Sequence, residues 1–102
     1  MMEVRNNIEL KFPTVRARCM ECKEENFIDM KFKGTEKEQR NLGFEYEHIF
    51  KGKLKCVDCG EKMRVIMTIF EYPKGFINYH DTENKSCLLM SDLETKDIIL
   101  NR

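Results

Sequence analysis

Two cysteine pairs with the same spacing constrain this chain more than any other feature. Cys19 and Cys22 form the first pair, and Cys56 and Cys59 form the second, with two residues between the thiols of each pair. A C-x-x-C loop turns both sulfur atoms toward one point, and two such knuckles that face each other build a tetrahedral site. The sequence therefore predicts a metal site with four thiolate ligands.

Zinc suits four thiolates best, because it has no redox chemistry and accepts a closed tetrahedral shell of sulfur. A closed shell leaves no position for water or substrate, so we expect the ion to be structural. Iron in the same shell stays open, since spacing alone does not separate the two metals. Two interpretations without a metal also stay open: a redox-active C-x-x-C, which normally begins a helix, and a set of buried free thiols.

The composition predicts one domain formed by residues 1–102. Apolar residues make up 41% and charged residues 35%, so a core can form, but it has little surplus apolar surface to stabilise so small a domain. Five cysteines in a reducing compartment favour metal binding or catalysis over a disulfide framework. No apolar run approaches the roughly 18 residues that span a membrane, and the N-terminus does not resemble a signal peptide. We therefore expect a cytoplasmic protein without a membrane partner.

Alternation of apolar and polar residues predicts strands on both sides of each knuckle. Residues 34–43 are polar and bracketed by glycines, which predicts an exposed connection, and Gly52 predicts a bend or bulge. Residues 63–72 carry apolar side chains on both faces, which predicts a strand that is covered on both sides. The predicted strands are residues 8–12, 15–19, 27–32, 44–51, 63–72 and 76–79.

The segment after Asp81 gives two interpretations. Ser91 followed by Glu94 matches a capping box and predicts a short C-terminal helix, whereas residues 97–100 fit an edge strand equally well. Residues 23–55 separate the cysteine pairs by more than the roughly 15 to 20 residues of the shortest arrangements, and we expect them to form a long hairpin between the knuckles. The predicted fold class is therefore mainly β, with an antiparallel sheet.

Two knuckles that each lead into a strand, the second written C-x-x-C-G from Cys56 to Gly60, resemble the zinc ribbon superfamily. The resemblance covers roughly residues 15–72 and implies a zinc-ribbon core in which the four knuckle cysteines are the ligands. Lys23 stands where a glycine often follows the second cysteine of a knuckle. Zinc ribbons occur in transcription factors, in polymerase and ribosome subunits and in many phage proteins, so the resemblance implies no single function.

Basic residues gather before and after the knuckles. Facing knuckles would bring them close together, where they could track a phosphate backbone. Bases could then stack on three aromatic residues of adjoining strands, Phe27, Phe44 and Tyr46. The net charge of zero, with 18 basic and 18 acidic residues, favours a solvated rim instead. The seven basic residues are Arg16, Arg18, Lys51, Lys53, Lys55, Lys62 and Arg64.

Other polar side chains are weaker candidates for chemistry. His48 shares a strand face with aromatic residues, which predicts a partly buried histidine rather than a catalytic base. His80 beside Asp81 predicts a solvated turn more often than a carboxylate-oriented base. Cys87 is expected to be a small core residue. Three carboxylates are expected on the solvent face of the sheet: Glu45, Glu47 and Glu71.

These observations favour a binding module over an enzyme. No set of nucleophile, base and orienting group can be assembled from the sequence, so neither catalysis nor a small-molecule substrate is expected. The first hypothesis is a protein-interaction or regulatory module whose apolar strand at residues 63–72 docks on another protein or on a second copy of the chain. The alternative is a nucleic-acid-binding accessory protein that uses the basic residues near the knuckles. Small size and the zinc ribbon resemblance would also fit a phage or mobile-element protein.

Overall fold

The computed structural model describes residues 8–90 and 93–100 of the chain. In these ranges it contains nine strands and one turn of 3-10 helix at Thr95–Asp97. All strand pairs are antiparallel, so the predicted fold class is confirmed. The strands are β1 (Ile8–Leu10), β2 (Thr14–Cys19), β3 (Glu25–Asp29), β4 (Lys31–Arg40), β5 (Gly43–Lys55), β6 (Lys62–Glu71), β7 (Ile77–Lys85), β8 (Cys87–Leu89) and β9 (Ile98–Leu100).

The strands form three sheets. The largest, which we call the large sheet, has the order β4-β5-β6-β7, and the small sheet has the order β3-β2-β8. Strands β1 and β9 pair with each other as a two-stranded ribbon. The chain passes from the small sheet to the large sheet at Met30, which is buried and whose N–H donates to the Pro13 carbonyl at 2.7 Å. The strand predicted over residues 27–32 is therefore two strands in different sheets.

The core lies on one face of the large sheet. Alternate residues of β6 are buried, from Met63 through Val65 and Met67 to Ile69, whereas Ile66 and the others between them are half-buried or exposed. This alternation follows from the two-residue period of a strand, which turns successive side chains to opposite faces. The prediction that β6 would be fully covered on both faces is therefore wrong for its outer face.

Strand β4 corrects the predicted connection over residues 34–43. The strand continues to Arg40, and only residues 41 and 42 turn the chain into β5, so β4 and β5 form the long hairpin between the knuckles. Nearly every side chain of β4 is exposed. Because β4 is an edge strand with little to bury, its sequence lacks the apolar alternation that identifies a strand.

Gly52 lies in a regular part of β5, opposite Val65, and not at a bulge. The irregularity falls in β4 instead, between Phe32 and Gly34. A Cβ atom at Gly52 would lie 2.6 Å from Cγ2 of Ile28 and 2.7 Å from the Asp29 carbonyl oxygen. Glycine is therefore needed because β3 passes directly over β5 at this position.

The C-terminal segment adopts the strand interpretation. The structure has only the single 3-10 turn at Thr95–Asp97, followed by β9, where the short α-helix was predicted. Ser91, the first residue of the predicted capping box, lies outside the described residues. Strand β9 pairs with β1, so its apolar residues complete the ribbon. Within the described residues there is also no helix long and apolar enough to cross a membrane.

Candidate metal centre

The structure brings together the four cysteines that the spacing selected. The sulfur atoms of Cys19, Cys22, Cys56 and Cys59 all lie within 4.8 Å of one another. Between the two knuckles, the sulfur atoms lie 3.6 Å apart for Cys19 and Cys59 and 3.4 Å apart for Cys22 and Cys56. All four residues are free cysteines. This cluster is able to hold a metal ion.

The two knuckles have the same backbone hydrogen bonds. In the first, the N–H of Lys23 donates to the Cys19 carbonyl at 3.0 Å and the N–H of Cys19 donates to the Glu24 carbonyl at 2.9 Å. In the second, Gly60 donates to Cys56 at 2.9 Å, and Cys56 donates to the Glu61 carbonyl at 2.8 Å. The shared spacing of the cysteines therefore produces one loop geometry twice.

Lys23 and Gly60 occupy equivalent positions with positive φ angles, 68° and 77°. This region favours glycine, because a Cβ atom crowds the backbone there. The Lys23 ammonium donates to the Met20 carbonyl at 2.9 Å, which helps to hold the turn. The substitution of lysine for the usual glycine thus leaves the first knuckle closed.

Asn26 links the two knuckles, and the sequence did not identify it. The residue is 2% exposed, and its Nδ2 donates to Sγ of Cys56 at 3.5 Å and to the Glu24 carbonyl at 3.1 Å. Its Oδ1 accepts from the N–H of Val57 at 3.0 Å. Because it touches both loops, its side chain fixes the register of one knuckle against the other. The available signal was its place on the face of β3 that also carries Ile28.

Within the cluster, the pKa is lowered at Cys56 and raised at Cys22 and Cys59. Backbone N–H groups of Cys59 and Asp58 lower the pKa of Cys56 to about 6. At Cys22, the backbone N–H of Glu24 acts in the same direction, but loss of hydration and the neighbouring thiols outweigh it and raise the pKa to about 12. The thiolate form is therefore favoured at Cys56 over Cys22 and Cys59, and a metal cation would displace the protons of those two thiols.

Cys87 lies outside the cluster. It pairs with Cys19 across β2 and β8, is 2% exposed, and directs its sulfur toward the Arg64 carbonyl at 3.8 Å. Burial raises the pKa of its thiol, so the neutral form is favoured. This environment agrees with the predicted role as a small core residue.

The structure divides the seven basic residues predicted as one surface. Lys51, Lys53 and Arg64 line a groove of about 530 Å³ together with Lys31 and Lys33, which the sequence analysis did not select. Lys55 and Lys62 lie opposite each other at the knuckle end of β5 and β6, and they do not line the groove. The other two, Arg16 and Arg18, lie on β2 of the small sheet.

Arg16 is neutralised locally, because its guanidinium contacts both carboxylate oxygens of Glu25 at 2.9 Å. Two of the predicted stacking residues, Phe44 and Tyr46, lie near the start of β5, at the end away from the second knuckle. The third, Phe27, lines the groove. Among the described residues, the groove therefore gathers three of the seven predicted basic residues with two further lysines.

His48 and Glu71 form a buried polar site that is separate from the cysteine cluster. His48 is 1% exposed and Glu71 is fully buried, and Nε2 of the histidine lies 2.7 Å from Oε1 of the carboxylate. The hydroxyl of Thr35 lies 2.7 Å from the other ring nitrogen, and Oε2 of Glu71 accepts from the N–H of Gly75 at 2.8 Å. The histidine is thus more deeply buried than predicted, and it has a carboxylate neighbour that the sequence analysis did not place there.

The carboxylates do not all lie on the solvent face, as was predicted. Glu71 continues the buried side of β6, two residues after Ile69, and this two-residue period was visible in the sequence. Glu45 is 8% exposed, and its carboxylate accepts from Arg40 at 3.2 Å. Only Glu47 is half-exposed. A charged residue at a buried strand position therefore requires a partner, which cross-strand neighbours supply here.

His80 lies within β7 opposite Ile69 and not in a turn, which corrects the predicted solvated turn. Because neighbouring strand residues point to opposite faces, Asp81 is not placed to orient it. The Asp81 carboxylate instead accepts from the N–H of Thr82 at 3.0 Å.

No protein-family model, curated protein or solved structure matches this chain. The likeness to zinc ribbons therefore rests on the two knuckles and their four clustered cysteines.

Proposed function

We propose that this protein is a non-catalytic binding module in which a structural zinc ion holds the strands that present its contact surfaces. The observation that carries the proposal is the cluster of four thiols, contributed in pairs by the β2–β3 and β5–β6 connections. One ion at this position would tie the small sheet to the large sheet. A domain of this size gains from such a link, because its core alone supplies limited stability.

The sulfur positions support zinc. A tetrahedral ion with Zn–S distances of about 2.3 Å separates its ligands by about 3.8 Å. Two sulfur–sulfur separations here are 3.4 and 3.6 Å, and all lie within 4.8 Å. Four thiolates complete the coordination shell, so the ion has a structural role and leaves no open position for substrate. Iron accepts the same shell and is the competing metal.

Another protein, or a second copy of the chain, is the partner proposed for the end of the large sheet farthest from the cysteines. Leu42 and Phe76, in the β4–β5 and β6–β7 turns, are 73% and 66% exposed. The two turns are linked by a hydrogen bond from the Leu42 N–H to the Tyr72 hydroxyl at 2.9 Å. Apolar side chains held in a fixed surface position favour burial against a partner.

The alternative function, a nucleic-acid-binding accessory protein, is supported by a different region, the basic groove beside the small sheet. Five free cysteines also support a reducing location such as the cytoplasm for either function.

The experiment that tests the metal is elemental analysis of protein purified without added metal. We expect one zinc ion per chain, released when the thiols are titrated with a mercurial reagent. Iron in its place, recognised by its visible absorption, would overturn the choice of zinc, and protein that is folded without any metal would overturn the module as proposed.

The protein partner is tested separately by light scattering across a range of concentrations. We expect Leu42→Glu to dissociate a dimer and Val57→Ser, at the knuckle end, to leave it intact. This result would support contact through the β4–β5 and β6–β7 turns, which we call the distal turns. A monomer at every concentration would exclude the second copy as the partner.

A further inference from the structure

We infer that the basic groove between β3 and β5 binds single-stranded nucleic acid, with phosphates on its cations and a base stacked on Phe27. The inference rests on the proposed function, because the strands that border the groove, β3 and β5, adjoin the two knuckles that the zinc ion would hold together. It specifies the ligand of the alternative function as a single strand, and it places the site away from the turns that hold Leu42 and Phe76.

The groove is open because the strand pairing ends there. Pairing between β4 and β5 stops at Lys31 and Lys51, and β3 pairs only with β2 among the described strands. The rest of β5 up to Lys55 therefore has no described partner on that side. The groove, of about 530 Å³, follows this opening, so an extended chain can lie along it without displacing a strand.

The cations of the groove face one another across the strands. Lys31 pairs with Lys51, and Lys53 pairs with Arg64, as directly opposite residues. Like charges in these positions destabilise a sheet. Within residues 8–90 and 93–100, neither these four side chains nor Lys33 has an ion pair within 4.0 Å. No ion pair of the described residues offsets this repulsion, and an anionic ligand would relieve it.

The one carboxylate at the groove, that of Asp29, is already engaged. Its Oδ1 accepts from the Thr14 hydroxyl at 2.7 Å. Five cations thus face one acid in the groove, although the whole chain is neutral. This local excess favours a polyanion that reaches the groove, rather than long-range attraction to any acidic surface.

An exposed aromatic ring selects nucleic acid among polyanions. Phe27 lines the groove and is 63% exposed, so most of its ring surface is open to a ligand. Half-buried Leu54 and Ile66 add apolar surface beside the cations. Stacking needs a base with a free face, so the geometry favours a single strand over a duplex.

The test is fluorescence anisotropy of the metal-loaded protein with labelled oligothymidylate and oligouridylate, compared with a duplex of equal length and an oligoglutamate peptide. We expect binding to the single strands that weakens from about 50 to about 200 mM salt, with a log–log slope of about −0.7 for each phosphate contacted. The duplex and the peptide should bind more weakly.

Two pairs of variants locate the site. Lys53→Glu should weaken binding by about tenfold and reduce the salt slope, whereas Lys74→Glu, an exposed charge reversal in the distal β6–β7 turn, should change neither. Phe27→Ala should weaken binding by about tenfold through loss of stacking, and Phe76→Ala, which removes an equally exposed ring from the distal turn, should have no effect.

Metal content and melting temperature are measured for every variant. A folded protein with full metal that fails to bind either single strand at low salt would overturn the groove inference and leave the proposed module intact. Equal or tighter binding of oligoglutamate would assign the groove to an acidic protein instead. Wild-type protein that is folded without any metal and binds neither single strand would contradict both proposals.

Discussion

Two clusters of ionisable side chains, the four cysteines and the buried pair of His48 and Glu71, are built in opposite ways. In the cysteine cluster, each pair of ligands comes from one tight loop, and the two loops have matching hydrogen bonds. In the second site, which we call the His–Glu site, Thr35, His48 and Glu71 come one each from β4, β5 and β6. One site is assembled from local turns, and the other exists only because three strands pair in a particular register.

This difference has energetic consequences. A metal bound by four thiolates contributes its binding free energy to folding, because the unfolded chain has no formed site. A buried histidine–carboxylate pair contributes little net stability, since desolvation offsets the attraction, but removing one partner leaves a costly polar group behind. We therefore expect the first site to stabilise the fold strongly and the second to be sensitive to any single change.

The largest effect is expected for Cys56→Ser. Loss of this ligand should abolish stoichiometric zinc binding. The apparent binding free energy of structural zinc, about 10 kcal/mol, is as large as the whole free energy of unfolding of many small domains. Circular dichroism melting and metal analysis will measure the result. Cys87→Ala is the matched control and should retain the metal. An unchanged melting curve for Cys56→Ser would show that the cysteine cluster does not stabilise the fold.

The next effect tests the His–Glu site. Glu71→Ala leaves the imidazole of His48 without its carboxylate neighbour, and breaking a buried pair in this way costs about 3 to 5 kcal/mol. Glu71→Gln should cost less, because an amide can still hydrogen-bond. Urea denaturation of the metal-loaded protein gives the free energy of unfolding. Glu47→Ala, on the half-exposed side of β5, should change it by less than about 0.5 kcal/mol, and an equal loss in the two alanine variants would contradict the distinction.

Gly52→Ala tests the crossing of β3 over β5, which joins the cysteine half of the structure to the rest. The new methyl group would meet Ile28 and the Asp29 carbonyl oxygen at less than 3 Å, and overpacking of this kind costs about 3 kcal/mol. The same denaturation measurement applies. Lys53→Ala, the exposed neighbour in β5, serves as the control, and a neutral Gly52→Ala would mean that β3 is free to move away.

Asn26→Ala tests whether metal binding by the four cysteines also depends on Asn26, a β3 residue that contacts the second knuckle without being a ligand. Loss of its bonds to Cys56 and Val57 should lower zinc affinity by about 10- to 100-fold, as for other groups that orient metal ligands. Competition with a chromogenic chelator will measure the affinity. Exposed Asn78 provides the control Asn78→Ala. If both variants bind zinc as tightly as the wild type, the knuckles form the site without help.

The smallest effect is expected for Lys23→Gly. Relief of the positive φ angle at this position should stabilise the metal-loaded protein by about 1 kcal/mol, less the contribution of the bond from Lys23 to Met20. Gly60→Lys should have the opposite sign, because it introduces the same strain into the second knuckle. Thermal melting of both variants measures the change, and a destabilised Lys23→Gly would show that the lysine side chain matters more than the backbone angle.

Sequence reasoning succeeded where the determining contacts are close in the chain. The two C-x-x-C spacings identified all four clustered cysteines, and apolar alternation placed most of β5 and β6. It failed for β4, whose exposed edge position leaves no apolar pattern. It also misplaced Glu71, although the period of β6 had already put this residue on the buried face.

The chain by itself determined the thiol set, the strand-rich character and the shape of both knuckles, because each depends on residues only a few positions apart. The tertiary structure alone decided which distant residues meet. Asn26 reaches the second knuckle, Glu71 reaches His48, and Lys31 joins Lys51 and Lys53 in one groove only after the strands pair. The register between strands sets these contacts, and register depends on the packing of the whole core rather than on any local pattern.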